Sequence, residues 1–309
     1  MGAIFKTTAA CLLLCSHMAV AETGKVEVVE PSTPWGINYG TDSCRLSRIF
    51  GTGKARTLFY IEKYGISGNF TELMAGEPLS RFGRLGAALR FSNGSGVEEP
   101  LAGQFEDFGP AFVSNSGNFF PKDLIITRIL KPKSQPDPAS PTDADDSSKI
   151  AHPSLSPEML HDITWVEASR GRTSLRLATG PMDQPMAALE KCVDDLVSSW
   201  GVDPAQVRSA RQDPRPLPET FKRVALTIQT SYPEAAIRAR ESATLSVRLV
   251  IDATGHVESC HILHITTATN FDNSACTEFQ KHGRFTPAVG ADGRPFKSIY
   301  TAAIVYRIQ

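Results

Sequence analysis

Between residues 244 and 251 every second side chain is apolar: Leu245, Val247, Leu249 and Ile251. Asp252-Ala253-Thr254-Gly255 follows at once. Alternation of period two is the mark of a strand with one buried face. A glycine closing a four-residue turn supplies the positive φ that a tight hairpin needs. The spacing predicts a hairpin, with a returning strand over 256–265. A lone ribbon is only marginally stable in water, so its apolar face needs cover, and the flanking sequence offers it. Residues 231–236 predict a short helix with Pro233 in its first turn. Asn270 can cap a helix that carries Phe271, Ala275 and Phe279 on one face. A turn at Asp292-Gly293-Arg294-Pro295 then leads to a last strand over 298–308, where Tyr300, Ala302, Ile304, Tyr306 and Ile308 alternate. The expected fold class is α+β. Residues 220–309 form a small αββαβ unit with an antiparallel three-stranded sheet.

The preceding sequence reads differently. Residues 22–202 are expected to be a β-rich domain of unknown ligand, with strand-forming runs at 25–29, 57–61, 123–130, 163–166 and 174–178. One amphipathic helix is expected over 183–200, where Met186, Leu189, Val193, Leu196, Val197 and Trp200 share a stripe. Residues 131–157 are rich in Pro, Ser and Asp and nearly free of apolar side chains. Such a stretch cannot bury enough surface to order itself, so a disordered loop is expected. Pro204, Pro214, Pro216 and Pro218 mark 203–219 as a Pro-rich linker.

Residues 1–21 carry Lys6, a short apolar run and Ala19-Val20-Ala21. This predicts a secretory signal peptide cut after Ala21 and a periplasmic mature chain. The apolar run is too short to span a bilayer, which takes about 20 residues, and no stable membrane span is expected in the mature chain. Net charge is -1 and the isoelectric point about 6.7, so no nucleic-acid partner is indicated. Four cysteines follow the signal: Cys44, Cys192, Cys260 and Cys276. An even number in an exported chain suggests disulfides, with three pairings open. The domain layout favours Cys44–Cys192 and Cys260–Cys276.

Other motifs fail on inspection. Gly51-Thr52-Gly53-Lys54-Ala55 lacks the first Gly and the final Ser or Thr of a phosphate loop. Asp143, Asp145 and Asp146 lack the glycine and distal glutamate of a calcium loop. Cys260, His261, His264, Cys276 and His282 invite a zinc reading, but residues 261 and 264 point to opposite faces of a strand. No catalytic residue, cofactor or metal is assigned. Phe105, Phe108, Phe112, Phe119 and Phe120 read most simply as core.

The last ninety or so residues resemble the TonB C-terminal domain family of energy-transducer proteins. Tyr232-Pro233 matches its helix start, Asp252 to Gly255 its hairpin, and Phe271-Asp272, more loosely, its second helix start. Arg284 to Ala288 matches its Arg-Phe-x-Pro-Ala segment, and Gly293 with Pro295 its last turn. Many members also carry cysteines at the places of Cys260 and Cys276. Ala243 departs from a frequent Gly, and Thr266-Thr267-Ala268-Thr269 replaces a usual Ser-Ser-Gly.

The resemblance implies binding by strand addition. An edge strand with unpaired backbone groups accepts an extended peptide. Ser298, Ile299, Tyr300, Thr301 and Ala302 would form the contact segment, and an outer-membrane receptor is the partner type implied. The chain is therefore expected to be a periplasmic adaptor or binding protein related to TonB-dependent transport, and not an enzyme. Two alternatives stand beside this: an anchored energy transducer with an uncleaved signal, and a secreted hydrolase whose active site lies in the N-terminal domain. A transducer would need a membrane anchor and a long spacer, whereas here a domain stands in the spacer's place.

Overall fold

The computed structural model describes residues 25–66, 70–83, 86–117, 156–265 and 270–306. The signal segment, the strand expected at 123–130, nearly all of the 131–157 stretch, Phe119, Phe120 and the 266–269 loop lie outside the described residues.

The N-terminal part is built on two sheets. The larger contains β2 (Gly36–Tyr39), β3 (Cys44–Phe50), β4 (Thr57–Lys63), β5 (Phe70–Gly76), β8 (Leu101–Phe105) and β9 (Gly109–Gly117), in the order β2-β3-β4-β5-β9-β8 with antiparallel neighbours. The smaller contains β1 (Lys25–Val29), β6 (Ala88–Phe91), β7 (Gly96–Glu98), β10 (Val166–Arg170) and β11 (Thr173–Leu177), in the order β1-β11-β10-β6-β7. β1 pairs parallel to β11, which brings the first strand beside one that follows it by about 150 residues of chain.

One core joins the sheets. Phe59 of β4 meets Phe91 of β6 edge-on, with ring centroids 6.2 Å apart, and Phe70 of β5 meets the same ring at 6.3 Å. Burying a side chain of this size contributes about 2–3 kcal/mol, so these rings are principal ties between the two sheets. A short helix, α1 (Pro157–His161), leads into β10. The amphipathic helix α2 (Asp183–Ser199) packs on β3, with Met186, Leu189, Cys192, Val193, Leu196 and Val197 buried. Trp200 ends α2 as its C-cap, one residue short of the expected helix end. Cys44 on β3 and Cys192 on α2 are disulfide-bonded with Cα atoms 6.0 Å apart, which staples the helix to the sheet. Phe112 lies in this core, while Phe105 and Phe108 pack in a smaller cluster on the outer face with Tyr60 and Leu73.

The 203–219 stretch differs from a linker. It holds α3 (Pro204–Arg208), whose first backbone N–H groups are accepted by the Asp203 side chain, and β12 (Arg215–Pro216), which pairs with β15 (Phe285–Thr286). Pro204 and Pro218 each sit in the first turn of a helix, where the missing N–H costs nothing. Proline there starts structure as readily as it interrupts it.

The C-terminal sheet has the order β14-β13-β18, from β13 (Ala243–Ile251), β14 (Val257–Ile265) and β18 (Ser298–Tyr306), all antiparallel. The helices are α4 (Pro218–Thr230), α5 (Glu234–Ala239) and α6 (Ser274–His282). Leu245, Val247, Leu249 and Ile251 are buried with Val224, Ile228 and Phe279 of α4 and α6. Asn270 does not cap α6. It donates to Glu241, and Asn273 takes the cap position. The hairpin turn is shaped by Asp252 Oδ1, which accepts from the N–H groups of Thr254 and His256. Gly255 has φ of +86°, and a Cβ there would lie 1.9 Å from the Phe285 carbonyl oxygen. Only glycine fits that position. A small ribbon, β16 (Ala288–Val289) with β17 (Pro295–Phe296), precedes β18.

Candidate functional site

β18 lies at one side of its sheet. It pairs residue for residue with β13, from Ala243↔Tyr306 to Ile251↔Ser298, and among the described residues with no other strand. Its outer edge therefore presents backbone N–H and C=O groups in an extended row. A second chain can add to such a row by main-chain hydrogen bonds.

The five residues singled out by sequence all fall on this strand, on alternate faces. Ser298, Tyr300 and Ala302 face the helices, and Tyr300 packs on Phe285 with ring centroids 5.1 Å apart. Burial raises the Tyr300 hydroxyl above its ordinary pKa. Ile299 and Thr301 face the other way. Thr301 is exposed, and Ile299 is half-buried against the N-terminal core.

That second face is where the two parts of the chain meet. Val250, the register partner of Ile299, is buried in the N-terminal core together with Ala288 and Phe296. Arg248 is the register partner of both His261 and Thr301. Its guanidinium lies over the Trp200 ring, 3.7 Å from the centroid, and Nη1 donates to Asp42 Oδ1 at 3.2 Å. His261 Nε2 stands 3.1 Å from the other oxygen of Asp42. Asp42, from the β2–β3 turn, thus holds two side chains of the C-terminal sheet, while Trp200 closes the apolar side. Desolvation pulls the Arg248 pKa down and Asp42 opposes that shift. The guanidinium remains charged throughout the physiological range.

Cys260 on β14 and Cys276 on α6 are bonded to each other, with Cα atoms 5.3 Å apart, which ties the sheet to its helix. Two of the histidines considered for zinc have other engagements: His261 meets Asp42, and His282 stands 4.0 Å from Glu278 on its own helix. Among the described residues, no group of three or more His, Cys, Asp or Glu side chains converges. No helix among the described residues is long and apolar enough to cross a membrane.

Residues 228–308 match the family model described as the Gram-negative bacterial TonB protein C-terminal. The resemblance carried by Tyr232-Pro233, the Asp252–Gly255 turn and Arg284 to Ala288 therefore holds across this TonB-like unit. The match covers α5, the β13–β14 hairpin, α6, the short strands β15 to β17 and β18. No curated protein matches the chain.

Three features were invisible to sequence reasoning: the Asp42–Arg248–Trp200 clasp, the close approach of Gly65 to Ile299, and, in the N-terminal sheet, the state of Glu72. A Cβ on Gly65, just beyond β4, would lie 3.2 Å from Ile299 Cδ1. Glu72 on β5 is fully buried, and among the described residues neither carboxylate oxygen has a hydrogen-bond partner. Burial alone raises its pKa from 4.5 to about 8.

Proposed function

We propose that this chain is an exported binding protein of the cell envelope, acting in TonB-type transport, and that it works by gripping an extended peptide along β18. The observation that carries this reading is the edge position of β18 within a unit that matches the TonB C-terminal model. Residues 220–309 are the gripping unit, and Ser298, Ile299, Tyr300, Thr301 and Ala302 form its contact segment. Residues 22–202 are a β-rich companion domain bound to it through the clasp. The chain acts by contact and not by catalysis. Its partner is a protein of the envelope, with a segment of an outer-membrane receptor as the favoured type. Two disulfides support an oxidising compartment such as the periplasm. The signal read at residues 1–21 supports the same location.

Proline substitution tests the grip. Successive N–H groups along a strand alternate in direction, so of Thr301→Pro and Ala302→Pro one removes an outward donor and the other a donor to β13. The outward-facing variant is expected to keep its circular dichroism and both disulfides while losing its partners in pull-downs from envelope extracts. Unchanged capture by that folded variant would remove strand addition from consideration.

A further inference from the structure

We propose that β1 is a second open edge of the molecule, and that it pairs antiparallel with β1 of another copy of this chain about a two-fold axis at Val26. The inference does not depend on the grip along β18.

β1 ends the smaller sheet on one side, and among the described residues it pairs with β11 alone. The Ala178 N–H, just after β11, donates to the Val29 carbonyl, so the Val29 backbone groups point toward β11. Backbone groups of successive residues on a strand point to opposite sides. Those of Lys25 and Glu27 therefore also point toward β11, and the N–H and C=O groups of Val26 and Val28 point away from the sheet. These two valines are 45% and 54% exposed. An open row of donors and acceptors flanked by apolar side chains is a template for another strand. The row is short. The Glu30 carbonyl, the next to point outward, already accepts from the Gly51 N–H at 2.9 Å.

Charge favours a second copy as the occupant. Outward-pointing residues must meet outward-pointing residues, so Val26 and Val28 allow three two-fold registers. Val28 opposite Val28 would set Val26 against Glu30, whose carbonyl is taken. Val26 opposite Val28 would set Glu27 against Glu27, and like charges directly opposite one another are destabilising. Val26 opposite Val26 sets Lys25 of each copy against Glu27 of the other, and symmetry makes the pair twice. These are non-hydrogen-bonded positions, where facing side chains come closest. Both groups are available. Lys25 is exposed and has no ion pair among the described residues, and Arg81 engages Glu27 through Oε2 at 2.6 Å, which leaves Oε1 for a second cation. The smaller sheets of the two copies then join into one. A ribbon of five residues a side falls below the roughly 1,200 Å² of a standard interface, so the dimer is weak and forms with rising concentration.

The test is sedimentation equilibrium of the full chain, with its disulfides intact, over a concentration series. The wild type is expected to approach twice the monomer mass. Lys25→Glu and Glu27→Lys each set like charges opposite one another, and each alone should raise the dissociation constant by roughly tenfold. An equimolar mixture of the two variants restores both ion pairs and should associate like the wild type. Val26→Pro removes an outward N–H and no bond to β11, and should stay monomeric. Near-ultraviolet dichroism confirms the fold of each variant, and should one of them unfold, the others carry the comparison. A wild type that stays monomeric throughout, a dimer indifferent to these substitutions, or a mixture that fails to recover overturns the proposal. Each of these results leaves strand addition at β18 standing.

Discussion

Replacing Glu72 by methionine is expected to stabilise the N-terminal part of the fold, and to do so more at high pH than at low. Glu72 lies between Ile61 of β4 and Ser114 of β9 in register, on the face that packs into the main core. Lys63 projects to the same side, but its ammonium is taken by Glu190 of α2 at 2.5 Å. The carboxyl is left without a partner among the described residues and is pushed from 4.5 to about 8. The folded state therefore holds a proton that the unfolded chain has released. The contribution is fully present below pH 4.5, and it declines as pH rises until the folded carboxyl ionises near 8. At ~1.36 kcal/mol per pH unit, the wild type forfeits at most ~4 kcal/mol between pH 5 and pH 8. Methionine has no charge to desolvate and keeps an unbranched side chain of similar length. Urea denaturation without reductant, followed by tryptophan fluorescence, reads the effect directly, because Trp35, Trp165 and Trp200 all lie in the first 200 residues. The gain on substitution should grow by a few kcal/mol from pH 5 to pH 8. An equal gain at both pH values would refute the reasoning, because it would mean that Glu72 does not change protonation over that range.

Two further outcomes follow from covalent and backbone constraints. The chain-entropy account gives ~3 kcal/mol for the loop closed by Cys260–Cys276 and ~5 kcal/mol for that closed by Cys44–Cys192. Double serine variants of each pair should rank in that order by thermal denaturation. Gly255→Ala must shift the Phe285 carbonyl and place a side chain at positive φ, so a loss of at least about 2 kcal/mol is expected in the same assay.

Periodic features were legible in the sequence. The alternation at Leu245, Val247, Leu249 and Ile251 returned as β13, and the stripe from Met186 to Val197 returned as the buried face of α2. Both are local patterns, set by the geometry of a single element. The 203–219 stretch was misread because proline in a first turn looks the same in sequence as proline in a linker. Asn270 offered a cap by residue type, yet Glu241 claimed it from 29 positions away. The surroundings of the site were illegible for a related reason. Arg248 occupies a polar position of an alternating strand, which reads as a solvated face. Its partner Asp42 is 206 residues distant, and the ring beneath it belongs to the end of α2. Glu72 sits among strand formers, with nothing in the sequence to separate a buried carboxylate from an exposed one.

The bond between Cys44 and Cys192 spans 148 positions. A single peptide bond broken anywhere inside that span leaves one molecule instead of two fragments. β1 to β3 and everything from α2 onward would still travel together, with the edge strand still attached. A cell that trims this protein within the span would thus keep an intact particle until a reductant reaches a bridge that is sealed inside the core.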